Sequence, residues 1–113
     1  MRWSEDQYRA YVTRGQPAPV SEKAWQGTIA QLARQYNWLY YHTFDSRRSP
    51  SGFPDVVLDK VGQPLYCVEL KSNTGQVTLA QEAWLTALGA CTGVVAEIWL
   101  PKDLEEICRQ LRG

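Results

Sequence analysis

The segment from Leu65 to Leu70, LYCVEL, carries apolar side chains at both parities, Leu65 and Cys67 at one and Tyr66, Val68 and Leu70 at the other. Side chains alternate faces along a β-strand, so a run of this kind reads as a central strand covered on both sides. That requirement constrains the chain more than any other feature, because it calls for a sheet with helices packed on each face. The polar residue within the run is Glu69, and Lys71 follows two positions later. On one strand the two share a face, about 6.6–7 Å apart.

A second β-branched run, Val56 to Leu58, precedes this strand, with Val61, Gly62 and Gln63 between them as a turn. A three-residue loop centred on Gly62 sets Asp55 directly across from Glu69, with facing Cβ atoms about 4.5–5.5 Å apart. Two carboxylates at that distance repel each other unless something positive lies between them. A divalent cation is the usual remedy, and hard oxygen ligands suit Mg²⁺ or Mn²⁺. The plainer alternative makes Asp55 the end of a turn and Glu69 with Lys71 a solvated strand face carrying a weak ion pair. The two-sided apolar character of the strand favours a cleft over a solvated face.

A length of 113 residues allows one domain, and 44% hydrophobic content with five Trp excludes a disordered chain. Twelve basic and twelve acidic residues cancel, so any binding to phosphates must come from a local patch. Cys67, Cys91 and Cys108 include no C-x-x-C pair, which argues against a disulfide framework or zinc site and favours a reducing interior. No apolar run approaches the roughly 18 residues of a membrane span, and residues 1–20 lack the apolar core of an export signal. The expected location is cytoplasmic, in a bacterial or phage-infected cell, with no membrane partner.

Residues 1–20 read as an arm. Ser4 to Arg14 has the signals of a short helix, and Gln16-Pro17-Ala18-Pro19 forms a stiff linker, so the arm packs on the domain or on a second subunit. The domain proper spans residues 21–113. It opens with a helix from Ser21, its N-cap, to about Tyr36, with Trp25, Ile29, Leu32 and Tyr36 as the apolar stripe. One step back along that stripe lies Glu22, which either complements the helix N-terminus or brings a third carboxylate to the cleft. Gln26, a turn later, is a core-edge amide or a support for the site.

Residues 38–44, WLYYHTF, read as a strand. The loop DSRRSPSG, residues 45–52, leads to Asp55. Its Arg47 and Arg48 are either solvated charge or, beside a metal cleft, a phosphate clamp. His42 packs or hydrogen-bonds at the sheet edge, with a direct role at the site as the alternative. After Lys71, Ser72 to Gln76 is a loop, and Thr78 opens a helix to about Ala90. Thr78 and Gln81 have capping-box spacing, and Gln81 also lies on the face of Trp84, Leu85 and Leu88, at the mouth of the cleft. A strand from Val94 to Leu100 follows, then Pro101 and a last helix from Lys102 to about Leu111. The order helix, three strands, helix, strand, helix predicts a three-layer α/β domain in which the third and fourth strands are parallel.

Taken together, GFPD, then ELK, then a helix bearing Q-x-x-W resembles the PD-(D/E)XK nucleases, and most closely the virus-type replication-repair nuclease (VRR-NUC) domain. The resemblance covers roughly residues 20–111. It implies a restriction-endonuclease-like fold with an αβββαβ core and mixed central sheet, and divalent-metal-dependent cleavage of DNA phosphodiesters. It further implies Asp55, Glu69 and the Leu70 carbonyl as ligands of Mg²⁺ or Mn²⁺, with Glu22 as the acidic residue of the first helix joining them. Lys71 would be the catalytic lysine and Gln81 the polar helix residue beside the site; Ser46, Arg47, Arg48 and His42, read from their own chemistry and position, are the candidate DNA-facing group. Asn37 stands where the family often has Gly, a departure that affects a turn. A neutral chain of this size has little room for a sequence-reading domain, so the expected substrate is branched DNA such as a Holliday junction, cut by a homodimer. The rival readings are a non-catalytic DNA- or protein-binding module on the same fold, and a sequence-specific restriction endonuclease.

Overall fold

A computed structural model describes residues 21–43, 50–72 and 76–113. Expectations that fall on the N-terminal arm and on Ser46, Arg47 and Arg48 lie outside these residues. Among the described residues, three α-helices and four strands follow the predicted order: α1 (Glu22–Gln35), β1 (Leu39–His42), β2 (Val56–Asp59), β3 (Leu65–Leu70), α2 (Leu79–Gly89), β4 (Val94–Trp99) and α3 (Leu104–Arg112). The chain is α/β with one four-stranded mixed sheet in the order β1-β2-β3-β4. β1, β2 and β3 are antiparallel neighbours, and β4 runs parallel to β3.

The β2–β3 register pairs Val56 with Val68, Val57 with Cys67 and Leu58 with Tyr66. One step further along that ladder Asp55 faces Glu69, as the Gly62 turn predicts, and Gly62 itself takes a positive φ of 83°. The doubly apolar strand is central: every residue of β3 from Tyr66 to Leu70 is buried.

One face of the sheet packs on α1 and α3. Trp25, Ile29 and Leu32 of α1 meet Val56, Leu58, Val68 and Leu70 from the strands and Leu104, Ile107 and Leu111 of α3 in a single core. Burial of each such large side chain contributes roughly 1.5–3 kcal/mol relative to exposure. The buried indole N–H groups within it are paired. Trp25 donates to the Trp99 carbonyl at 3.0 Å, and Trp38 donates to the Leu111 carbonyl at 2.8 Å. These two bonds tie α1 and the residue before β1 to the C-terminal part of the domain. None of the three cysteines forms a disulfide; Cys67 and Cys108 are buried and Cys91 is exposed.

The other face is covered more thinly than the stripe Trp84, Leu85 and Leu88 implies. No residue of α2 is fully buried, because this helix lies over β3 and β4; among the described residues Leu39 and Tyr41, on the outer face of β1, stay exposed. The closing helix also differs from expectation. Pro101 to Asp103 form a 3-10 turn, and the α-helix starts only at Leu104, since the Asp103 carboxylate accepts the Leu100 N–H at 3.0 Å and tightens the entry. No helix among the described residues is long and apolar enough to cross a membrane.

Candidate active site

The ends of β2 and β3 and the first turn of α2 bring four side chains together. Asp55, immediately before β2, accepts the Leu70 N–H on Oδ2 at 3.0 Å. This bond fixes the carboxylate against the end of β3, beside Glu69. Glu69 is 3% exposed, and its neighbours set its chemistry. Its Oε2 accepts from Gln81 Nε2 at 2.9 Å and lies 3.7 Å from Lys71 Nζ. Its Oε1 is buried without a hydrogen-bond partner. Burial above all, and then the negative charge of Asp55, push the Glu69 carboxyl up to about 8, with the Lys71 ammonium pulling in the other direction.

Gln81 reaches Glu69 because of how α2 begins. Thr78 caps the helix, its hydroxyl accepting the Gln81 N–H at 3.1 Å, while Gln81 Oε1 accepts the Thr78 N–H at 2.9 Å. With its carbonyl end held by the cap, the amide has its NH₂ end left for Glu69. The helix is seated by Gly52, whose positive φ of 97° and lack of a side chain allow close approach. A Cβ there would lie 2.5 Å from the Ala80 carbonyl carbon. Phe53 then packs edge-on against Trp84, with ring centroids 5.1 Å apart. The chain from Gly52 to Asp55 is therefore docked onto α2 before it enters β2.

The other expected site residues lie on α1, β1 and β3. Glu22 is exposed in the first turn of α1. Among the described residues no three His, Cys, Asp or Glu side chains form a group that could hold a metal ion. Glu22 contributes acidity to the first turn of a helix whose cap is Ser21, which accepts the Ala24 N–H. His42 pairs with Val56 and shares its face, one residue out of phase with Asp55. The residue across from Asp55 is Thr43, whose N–H donates to the Asp55 carbonyl at 2.9 Å. Leu70 is expected at the site through its carbonyl, at the end of β3; its side chain packs in the core, 2% exposed.

One neighbour escapes a reading of motifs. Tyr40, half-buried on β1, has its phenol pushed above the usual range by burial and by the charge of Asp55. Its signal in the sequence is only the alternation of the strand. The structure thus gathers Asp55, Glu69, Lys71 and Gln81, two carboxylates, one ammonium and one amide, at the carboxyl end of β3.

These residues fit a hard divalent cation. Mg²⁺ is typically bound through one or two carboxylates, with waters and substrate phosphates filling the other positions. A buried, unpartnered Glu69 Oε1 next to a second carboxylate is the environment a cation would relieve. No protein-family model, no curated protein and no solved structure matches the chain.

Proposed function

We propose that the chain is a divalent-metal-dependent endonuclease hydrolysing DNA phosphodiester bonds, of the VRR-NUC kind within the PD-(D/E)XK nucleases. The observation that carries this reading is the Asp55–Glu69 pair, its glutamate buried, with Lys71 Nζ 3.7 Å from Glu69 Oε2. Burial and the neighbouring Asp55 carboxylate push the Glu69 carboxyl up to about 8, so the pair favours a shared proton or a bound cation over two free charges.

Asp55 and Glu69 would hold Mg²⁺ or Mn²⁺, with the Leu70 carbonyl beside them. When bound, such a cation supplies Lewis-acid stabilisation of charge on the phosphate oxygens and makes water a better nucleophile near neutral pH. The chain's own groups do the rest. Gln81 donates to Glu69 Oε2 and fixes the carboxylate so that its free oxygen stays toward Asp55. The Leu70 N–H orients Asp55 in the same way. Lys71, partly exposed beside Glu69, donates to a phosphate oxygen and orients the attacking water for in-line displacement, its ammonium offsetting the charge that develops.

A neutral chain with one such site fits recognition of DNA shape, and cleavage of both strands of a junction calls for a homodimer. Labelled junction, flap and plain duplex DNA incubated with and without Mg²⁺ test the reading. Cation-dependent cutting that Lys71→Ala lowers about a hundredfold or more while DNA binding is retained is the expected result. Wild-type protein that binds DNA yet leaves every substrate intact in Mg²⁺ and in Mn²⁺ overturns it in favour of a binding module.

A further inference from the structure

Beside the carboxylates lies a second feature that the hydrolytic groups do not use. Tyr41, Thr43, Pro50, Phe53 and Trp84 line a cavity of about 240 Å³ where, among the described residues, α2 leaves the outer face of β1 uncovered. Tyr41 is 61% exposed, an unusual state for an aromatic residue in a strand whose neighbours pack a core. None of these five residues carries a charge.

The cavity adjoins the site through two covalent connections. Phe53 is two residues before Asp55, so their Cα atoms are at most about 7 Å apart. Trp84 is three residues after Gln81 on the same helix, one turn away along one face, about 5–6 Å between Cβ atoms. The two regions divide by chemistry. Lys71 gives the carboxylate end its cation, and the neighbouring cavity offers aromatic walls without charge. A nucleotide divides in the same way, into an anionic phosphate and a flat, uncharged base.

Resting on the nuclease reading, we infer that this aromatic cavity takes an unpaired nucleobase next to the bond being cut, so that the substrate is DNA with a single-stranded element. Base-on-aromatic stacking is tolerant of sequence, which suits recognition of a structure over a sequence. A base within a duplex is stacked on both sides and cannot enter. Flaps, tails and the unpaired nucleotides at a branch can.

The test is binding of dye-labelled DNA, followed by fluorescence anisotropy in metal-free buffer, with three probes: a blunt duplex, the same duplex with a short single-stranded tail, and that duplex with abasic residues throughout the tail. Wild-type protein should bind the natural tail about tenfold tighter than the blunt end, and the abasic tail should lose that advantage. Tyr41→Ala should abolish the preference without changing affinity for the blunt duplex, and Tyr41→Phe should restore it. Because Tyr41 is exposed, the substitution leaves the core intact, and Phe53→Leu serves as the second variant from the opposite wall. Equal binding of tailed and abasic probes overturns the inference. So does a Tyr41→Ala protein that keeps the preference but sediments as a monomer where wild type is a dimer, which would assign the surface to a second copy. Cleavage assays on the same DNA in Mg²⁺ separate the two readings. A base-dependent preference without cutting leaves the cavity standing and removes the nuclease, and cutting without preference does the reverse.

Discussion

Gln81 donates its side-chain amide to Glu69 Oε2 at 2.9 Å while its amide oxygen accepts the Thr78 N–H at 2.9 Å. One side chain thus closes a helix cap and holds a buried carboxylate. The start of α2 and the candidate site are consequently a single unit, and disturbing one disturbs the other.

Removing that side chain should cost more than a surface substitution. Gln81→Ala loses the reciprocal arm of the capping box and leaves Glu69 without its donor, a loss of about 1–2 kcal/mol in urea unfolding. Gln81→Glu keeps an acceptor for Thr78 but sets a third carboxylate against Glu69. Its deficit should exceed that of Gln81→Ala at pH 8 and shrink when Mg²⁺ is added, as read from unfolding midpoints.

The raised Glu69 carboxyl predicts an inverted pH dependence. Its ordinary value is 4.5, and it is pushed up to about 8 in the fold. The folded state therefore binds the proton more tightly than the unfolded chain, so its contribution to stability is fully present below pH 4.5 and is lost as pH rises toward about 8. The metal-free Tm should fall across that window, and Glu69→Gln should flatten this part of the profile. Mg²⁺ should raise the Tm of wild type at pH 8, where the carboxylate is available, and do so far less at pH 5 or in Asp55→Asn.

Gly52 should not tolerate a side chain. With φ at 97° and any added Cβ falling only 2.5 Å from the backbone carbon of Ala80, Gly52→Ala strains the chain and drives the start of α2 away from Asp55. A loss of about 2–4 kcal/mol is expected, with cleavage falling beyond what the lost stability explains. Ala80→Gly should not rescue it, since the clash is with backbone. Thermal melts and initial rates at a temperature where both proteins are folded check this.

Asn37 ends α1 in the left-handed conformation, φ 66°. Its N–H donates to the Arg34 carbonyl, and the Trp38 N–H reaches back to Ala33 at 2.8 Å, the paired bonds of a Schellman ending. Asn37→Gly should raise stability by about 0.5–1 kcal/mol, and Asn37→Ala should lower it by a similar amount, both read from urea midpoints. Cleavage rates should not move, because this turn lies away from the site.

Much of the architecture was written into short-range pattern. The capping residues Ser21 and Thr78 sit where the sequence puts them. The apolar run of β3 is buried on both faces, and the Gly62 turn sets Asp55 opposite Glu69, because a tight turn of known length transmits register from one strand to the next. The dual duty of Gln81 was foreshadowed by its spacing from Thr78.

Other features depended on contacts between distant segments. β1 reaches β2 through a long connection, not a tight turn, so its register was not readable. Pairing His42 with Val56 turned the histidine to the core face and put Thr43 across from Asp55. The position of α2 was set by Gly52 meeting Ala80, which left that helix only half-buried and opened the aromatic cavity beside Tyr41. Glu22 followed α1 to an exposed position at its first turn. The alternation of strands and the period of helices are properties of neighbouring residues, and the sequence alone carried them. Which helix turn meets which strand end is decided by packing across the whole domain, where side-chain volume and buried hydrogen bonds choose among alternatives that local pattern leaves equal.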